Sequence, residues 1–259
     1  MLTTDFPVGS PCWIDLGSPD IRATAAFYGA VFGWTFQEVP EAGGYGFLQL
    51  NGERVAALGN LDAGSRPAWT TYFLTADVDA TVKAAEHSGA TVRVPPMDVM
   101  EEGRFAALTD PQGAEFALWQ AGNTRGLDAV SEPDTLVWTE LHTSDPDGAF
   151  AFYKGLFNWR VEVFEPSPGM NYRVVSTADG DQQQTSFGGI APVMAEGQPS
   201  AWTPYFAAAD VDALVDKATA TGGSVLMPAE DVENVGRIAW LADPNGAPFA
   251  LIKGEPQES

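Results

Sequence analysis

Apolar and polar positions follow two rhythms along this chain, and the rhythms come in the same order four times. Cys12–Gly17 is a short apolar run that stops at Ser18-Pro19-Asp20, where Ser18 is placed to cap a helix and Pro19 to take its first position. Ala26, Phe27, Ala30, Val31 and Trp34 then fall on one helical face, which predicts an amphipathic helix to about Phe32. Trp34–Val39 and Tyr45–Leu50 read as strands, and Asn51-Gly52 as a hairpin turn into Arg54–Leu58. A strand at Trp69–Thr75 follows, then a helix at Asp77–Ser88 with Val78, Val82 and Ala85 on one face and Gly89 as its stop. Strands near Thr91–Val94, Arg104–Thr109 and Glu115–Gln120 complete the half, the last two joined by the turn Asp110-Pro111-Gln112-Gly113. The second half repeats this order and ends with Ser224–Met227, Arg237–Ala242 and Pro248–Lys253.

The repetition extends to individual residues. Trp13, Asp20, Phe27, Tyr28, Phe32 and Trp34 recur 125 positions later as Trp138, Asp145, Phe152, Tyr153, Phe157 and Trp159. Further on the offset is 133, with Trp69, Tyr72, Phe73, Asp77 and Val78 returning as Trp202, Tyr205, Phe206, Asp210 and Val211. GRFAALTDPQGAEFAL (103–118) returns as GRIAWLADPNGAPFAL (236–251). A duplication of this length predicts an α+β tandem of paired βαβββ modules. The expected domains are 9–121 and 137–254. Residues 122–136, which lack periodicity and carry Gly, Ser and Pro, read as the linker.

Composition narrows the classes of function. The 259 residues suit two domains, each long enough for a core, and 45% hydrophobic with 11% aromatic content is globular. A formal charge of −22, from 35 acidic and 13 basic residues, argues against nucleic acid and anionic membrane surfaces as partners. The single cysteine, Cys12, excludes an internal disulfide framework and a thiolate metal cluster. The N-terminus reads as neither a signal peptide nor a membrane span, so the expected location is the cytoplasm, a leaderless export route leaving no trace in sequence. The expected assembly is a monomer or homodimer. No P-loop, GxSxG or dinucleotide fingerprint is present.

Paired βαβββ modules, the SPD…AFYGAVFGW helix entry and the DPxGxxFAL ending resemble the vicinal oxygen chelate superfamily. That superfamily includes glyoxalase I, bleomycin resistance proteins and extradiol dioxygenases, and the likeness is greatest to its two-domain, glyoxalase-like actinobacterial members. The resemblance covers nearly the whole chain and implies that each half is an incomplete mixed-sheet barrel with its helices outside. It does not imply one function, because the scaffold carries many chemistries.

The resemblance also implies metal ligands at defined places, and these places hold no donors of the required kind. The first ligand lies seven residues before the Asp that opens each helix, which gives Trp13, Thr70, Trp138 and Thr203 here. The late ligand falls at Ala117 and Ala250. Trp and Ala offer neither imidazole nor carboxylate, so no cofactor is expected. A divalent metal would need a displaced site.

Side chains alternate across a strand, so Trp13, Asp15 and Gly17 share one face and Trp138, Glu140 and His142 its equivalent. With Ala117, Trp119 and Ala250 on the last strands, and Thr70, Tyr72, Thr203 and Tyr205 on the fifth strand of each half, these predict an aromatic-walled pocket with one or two acids. The two alanines are expected to open space in it. Trp13 and Trp138 read equally as core residues, and Asp15 and Glu140 as partners of Arg104, Arg237 or tyrosine hydroxyls. Two function classes follow. One is a metal-independent protein that binds or sequesters a small apolar or aromatic molecule. The other is an enzyme of glyoxalase, hydroxylase or dioxygenase type, in which Asp15, Glu140 and His142 act as acid and base on a carbonyl or aromatic compound. In a third arrangement one half keeps a pocket and the other only braces the structure.

Overall fold

The computed structural model describes residues 2–61, 64–164, 172–195 and 197–255. The first half runs β1 (Pro11–Ser18), α1 (Ile21–Phe32), β2 (Thr35–Glu38), β3 (Gly46–Leu50), β4 (Glu53–Asn60), β5 (Ala68–Leu74), α2 (Val78–His87), β6 (Thr91–Val99), β7 (Gly103–Thr109) and β8 (Glu115–Ala121). The second runs β9 (Leu136–Thr143), α3 (Pro146–Phe157), β10 (Arg160–Phe164), β11 (Tyr172–Ser176), β12 (Ser186–Pro192), β13 (Ala201–Ala207), α4 (Val211–Ala220), β14 (Ser224–Val232), β15 (Gly236–Ala242) and β16 (Pro248–Gly254). The strands form two open mixed sheets of eight, in the orders β2-β3-β4-β1-β5-β8-β7-β6 and β10-β11-β12-β9-β13-β16-β15-β14. The duplicated α+β architecture read from the repeat is therefore present.

Local chemistry sets the elements, with three departures from the pattern reading. Asp20, not Ser18, is the N-cap of α1: its backbone is extended and its carboxylate accepts from the Ala23 amide. Ser18 sits two residues too early for that bond and its hydroxyl instead meets Thr24 Oγ1 at 2.7 Å. The buried stripe of α1 is Thr24, Phe27, Tyr28, Val31 and Phe32, while Ala26 and Ala30 face outward, because the larger rings claim the core. Strands β6 and β14 run through Pro95-Pro96 and Pro228, beyond the expected ends. They do so as edge strands, with register shifts at Val94/Met97 and Met227/Glu230 that absorb the missing donors. The Asn51-Gly52 turn has φ of 54° and 88°, the left-handed pair such a hairpin requires.

By spatial proximity the chain divides into two compact units, and neither is one half of the sequence. The first comprises Met1–Trp13, Thr70–Gly126 and Trp138–Thr203. Its core centres on Phe73 of β5, whose ring meets Trp159 and Trp202 at 5.2 Å each and Phe157 at 5.7 Å. Tyr153 of α3 stacks on Trp159 and touches Phe116 of β8, so a helix of the second repeat closes on strands of the first. Trp202 Nε1 donates to the Tyr153 hydroxyl (2.9 Å), which donates to Asp110 Oδ2 (3.1 Å). Asp110 Oδ1 accepts the Gln112 and Ala114 amides and so shapes the turn between β7 and β8.

The second unit comprises Ile14–Trp69, Leu127–Val137 and Pro204–Ser259. Tyr28 of α1 stacks on Trp34, and Phe32 packs on Phe206 of β13 and Phe249 of β16, again joining a helix of one repeat to strands of the other. The residues twinned with the Trp202–Tyr153–Asp110 relay are Trp69, Tyr28 and Asp243. Here the Tyr28 hydroxyl interacts with Trp69, while Asp243 Oδ2 is buried without a hydrogen-bond partner, so the step to the aspartate is missing. The segment between the halves is packed rather than loose. Leu127, Ala129 and Val130 are buried, and Asp128 receives both Arg54 guanidinium and Arg54 amide bonds.

This difference between twins is measurable. Tyr153→Phe removes a hydroxyl bonded on both sides and is expected to cost about 1–3 kcal/mol in urea unfolding, whereas Tyr28→Phe, whose hydroxyl lacks the bond to aspartate, is expected to cost less. Equal losses in the two variants would show that the relay contributes nothing.

Candidate functional site

In the first unit, alternation along β9 places Trp138, Glu140 and His142 on one face and the fully buried Leu141 on the other. Strand β12 lies parallel to β9 with Gly189 beside Glu140, and β11 runs antiparallel to β12 and delivers Tyr172. Trp138 Nε1 donates to the Tyr172 hydroxyl at 3.0 Å, and that hydroxyl donates to Glu140 Oε2 at 2.5 Å. His142 Nε2 lies 3.2 Å from Glu140 Oε1. Four side chains thus form one bonded chain, with Glu140 only 8% and His142 only 4% exposed.

Burial governs how this chain holds protons. It pushes the His142 imidazole below its ordinary value near 6.5, with the Glu140 charge pulling the other way. It pushes the Tyr172 phenol well above 10, helped by the negative charge of Glu140 and by the bond the phenol donates to it. At neutral pH the imidazole and the phenol are therefore both uncharged.

The twin strands in the second unit differ in the position of one methyl group. Register makes Tyr45 the equivalent of Tyr172, since Gly46 pairs with Leu58 as Arg173 pairs with Ile190. The N-terminal copy of β4 reads Ala57-Leu58-Gly59, and the corresponding stretch of β12 reads Gly189-Ile190-Ala191. A Cβ on Gly189 would overlap the Tyr172 hydroxyl, so glycine is required there for that hydroxyl to reach Glu140. Beside Asp15, in contrast, stands Ala57. Tyr45 lies over Gly59 instead, so close that a Cβ there would be 2.9 Å from its ring. Asp15, Gly17, Tyr45, Gly59 and Asn60, with Ala42 and Gly43, line a cleft of about 290 Å³.

The residues singled out in the sequence separate into groups. Trp138, Glu140 and His142 come together, joined by Tyr172. Asp15 is half-buried at the cleft, while Trp13 is buried earlier on the same strand. Tyr72 pairs with Ala117 and packs on Phe105, Thr70 is half-buried one turn of the pleat away, and Trp119 Nε1 is bound to the Thr124 carbonyl. Tyr205 pairs with Ala250 and its hydroxyl accepts from Trp240 Nε1 at 2.9 Å; Thr203 is buried. Ala117 and Ala250 are wholly buried, with the Tyr72–Phe105 and Tyr205–Trp240 ring pairs on the strands beside them. Arg104 and Arg237 do not serve the acids either. Each is held at the surface by two aspartates, Asp79 and Asp98 for the first, Asp212 and Asp231 for the second. Tyr45, Tyr172, Gly59 and Gly189 are the site residues the sequence pattern did not reveal.

The donors present do not fit a chelated metal. Trp13, Trp138, Thr70, Thr203, Ala117 and Ala250 supply no imidazole or carboxylate. Glu140 and His142 are two donors already bonded to each other, and among the described residues no three His, Cys, Asp or Glu side chains cluster to hold an ion. Among the same residues, no helix is long and apolar enough to cross a membrane.

Comparison with known proteins agrees with the fold. A family model described as the Glyoxalase/Bleomycin resistance protein/Dioxygenase superfamily matches residues 12–118 and again 135–251. A Mycobacterium bovis protein whose name, CFP32, carries a provisional glyoxylase label is 38% identical over 262 residues, covering 98% of each chain. The anthracycline biosynthesis protein DauV of Streptomyces sp. (strain C5) is 36% identical over 273 residues, covering 96% of this chain and 95% of that one. Among solved structures, 2,2',3-trihydroxybiphenyl 1,2-dioxygenase from Sphingomonas wittichii superposes with a TM-score of 0.68 at 13% identity, over 96% of this chain and 91% of that one. The Mn(II)-bound glyoxalase from Novosphingobium aromaticivorans gives 0.64 at 15% identity, over 97% and 86%. At such identities the structural likeness shows the fold alone.

Two variants test the bonded chain. Gly189→Ala displaces the Tyr172 hydroxyl from Glu140 and is expected to cost about 1–3 kcal/mol, while Ala57→Gly in the twin is expected to cost no more than about 1 kcal/mol. Because the His142 value is depressed in the fold, its contribution to stability is present above its ordinary value near 6.5 and is lost as pH falls toward the folded value. The thermal midpoint of His142→Gln is therefore expected to fall less than that of the parent between neutral and mildly acidic pH. An identical fall in both would show that His142 is not held neutral by burial.

Proposed function

The chain belongs to the glyoxalase/bleomycin resistance protein/dioxygenase superfamily, and from that membership we propose that it binds a small aromatic molecule in the cleft beside Asp15, without a metal in the contact. The observation that carries this reading is the cleft itself, a half-buried carboxylate next to an aromatic wall, Tyr45, with open backbone at Gly43. Such a surface offers a flat ring an aromatic wall to pack on and one strong acceptor to fix its orientation. A volume of about 290 Å³ takes one edge of a fused-ring system rather than the whole of it. The relative named for anthracycline biosynthesis supports a polycyclic aromatic ligand. The net charge of −22 favours one that carries a cation.

The pairing of Glu140 with a neutral His142 supports a second reading, in which the protein turns over a carbonyl or aromatic compound by general acid–base chemistry. In that case the imidazole would accept a proton and the carboxylate would stabilise the cation formed. Titration with 1,8-dihydroxyanthraquinone, followed by calorimetry and by the fluorescence of the ring system, distinguishes the two. Saturable binding weakened at least about tenfold by Asp15→Asn, with the probe recovered intact, is the expected result. Absence of saturable binding overturns the binding reading. Conversion of the probe that disappears in Glu140→Gln would establish the catalytic one.

A further inference from the structure

The cleft beside Asp15 is walled on one side by the loop between β2 and β3, residues 39–45, which contributes Ala42, Gly43 and Tyr45 to it. Backbone bonds fold this loop on itself. The Val39 amide donates to the Tyr45 carbonyl (2.9 Å), the Ala42 amide to the Val39 carbonyl (3.2 Å) and the Tyr45 amide to the Ala42 carbonyl (3.2 Å). Its tip is left-handed at Glu41, Gly43 and Gly44, with φ of 63°, 64° and 93°. Glycine adopts that region freely, but at Glu41 it carries a cost that contacts from outside the turn must offset. One such contact comes from the end of β4. Asn60 also lines the cleft, and its Nδ2 donates to the Gly43 carbonyl at 2.5 Å. Gly44 packs beside it: a Cβ there would lie 3.1 Å from Asn60 Nδ2 and 3.4 Å from Cδ1 of Ile21, the first residue of α1.

We infer that Asn60 is a positioning residue for the ligand: its amide latches the 39–45 loop against the cleft, so that this wall stays in place around a bound ring. This rests on the reading of the cleft given above and names the group that holds it closed. The duplication separates the latch from a role in folding. Asn60 pairs with Ser18 in the β1–β4 register as Pro192 pairs with Thr143 between β9 and β12. The next backbone bond is the same in both copies, from the Leu61 amide to the Ser18 carbonyl (2.9 Å) and from the Val193 amide to the Thr143 carbonyl (3.1 Å). Proline has no side-chain donor, so the sheet is built at this place without the amide. What Asn60 adds in the first repeat is its hold on the loop. Glu41 and Gly43 are exposed and draw little from the core, so losing that hold lets the loop open locally while the sheet beneath it stays intact.

Two variants of the full chain remove the latch. Asn60→Leu keeps the bulk of the side chain without its donor, and Asn60→Asp keeps its shape but turns an acceptor toward the Gly43 carbonyl. Hydrogen–deuterium exchange of the peptide covering residues 39–47, with no ligand present, is expected to quicken at least about tenfold in both variants. Residues 53–58 of β4 should keep the parent's exchange rate, as the proline in the twin strand implies. In stopped flow, 1,8-dihydroxyanthraquinone is expected to leave both variants at least about fivefold faster than it leaves the parent. Unchanged exchange over residues 39–47 overturns the latch. Faster exchange with an unchanged dissociation rate overturns its part in binding. If the parent itself does not bind the anthraquinone, the reading of the cleft falls, and the exchange result still decides whether Asn60 holds the loop.

Discussion

A helix that carries two rows of aromatic rings must bury them against a surface of matching size. In this chain neither α1 nor α3 finds that surface within its own repeat alone. Tyr153 and Phe157 of α3 close on Phe73 and Phe116 in one unit, and Tyr28 and Phe32 of α1 close on Phe206 and Phe249 in the other. Each such ring removes a large apolar area from water, and that burial dominates the stability of a core of this size. The remaining features follow from it. With the helices fixed on one side of the strands, the opposite face is left to polar groups, and Asp15 and Glu140 occur there because the alternation of β1 and β9 puts them there.

Burying a carboxylate on that face requires donors, and Glu140 shows how one repeat supplies them. Glu140 receives the Tyr172 phenol and the His142 imidazole, with Trp138 behind the phenol. The same economy of donors appears in the cores, where Asp110 is bound by Tyr153 and its twin Asp243 leaves one oxygen without a partner. Duplication gave two copies of each arrangement, and small shifts in side-chain volume then moved one copy away from the other. In the strand pairs beside Asp15 and Glu140, the shift is a single methyl group transferred from one register position to another.

Most of the fold was legible because it depends on local periodicity and turn chemistry. The Asn51-Gly52 hairpin, the Val78-Val82-Ala85 face and the order of elements all follow from spacing alone. The cap of α1 was displaced by two residues because Ser18 and Asp20 are both good caps and only backbone direction distinguishes them. The two proline-containing edge strands were cut short because edge position is a property of the assembled sheet. The site was legible only in part. Glu140 and His142 stand on one strand and can be paired by alternation, whereas Tyr172 reaches them from another strand. Its twin Tyr45 lies 127 positions earlier, while Ala57 and Gly189 are 132 apart and the flanking helices 125, so insertions hide the correspondence. Strand register restores it, and register is set by pairing across the sheet rather than by sequence.

The interleaving of the two repeats bears on the order in which the polypeptide matures. Phe73 must wait for Trp202, and Phe32 for Phe249, before either core is closed. Contacts this far apart along the chain carry a large loop-closure cost and form late. A nascent chain emerging from the ribosome therefore holds its first repeat unfinished, with α1 exposing aromatic rings, until nearly the last strand has been made. Gene duplication in this protein did not yield two independent folding bodies. It yielded two units that each draw on both repeats, so that the C-terminal strand β16 is needed to complete the core around the N-terminal helix.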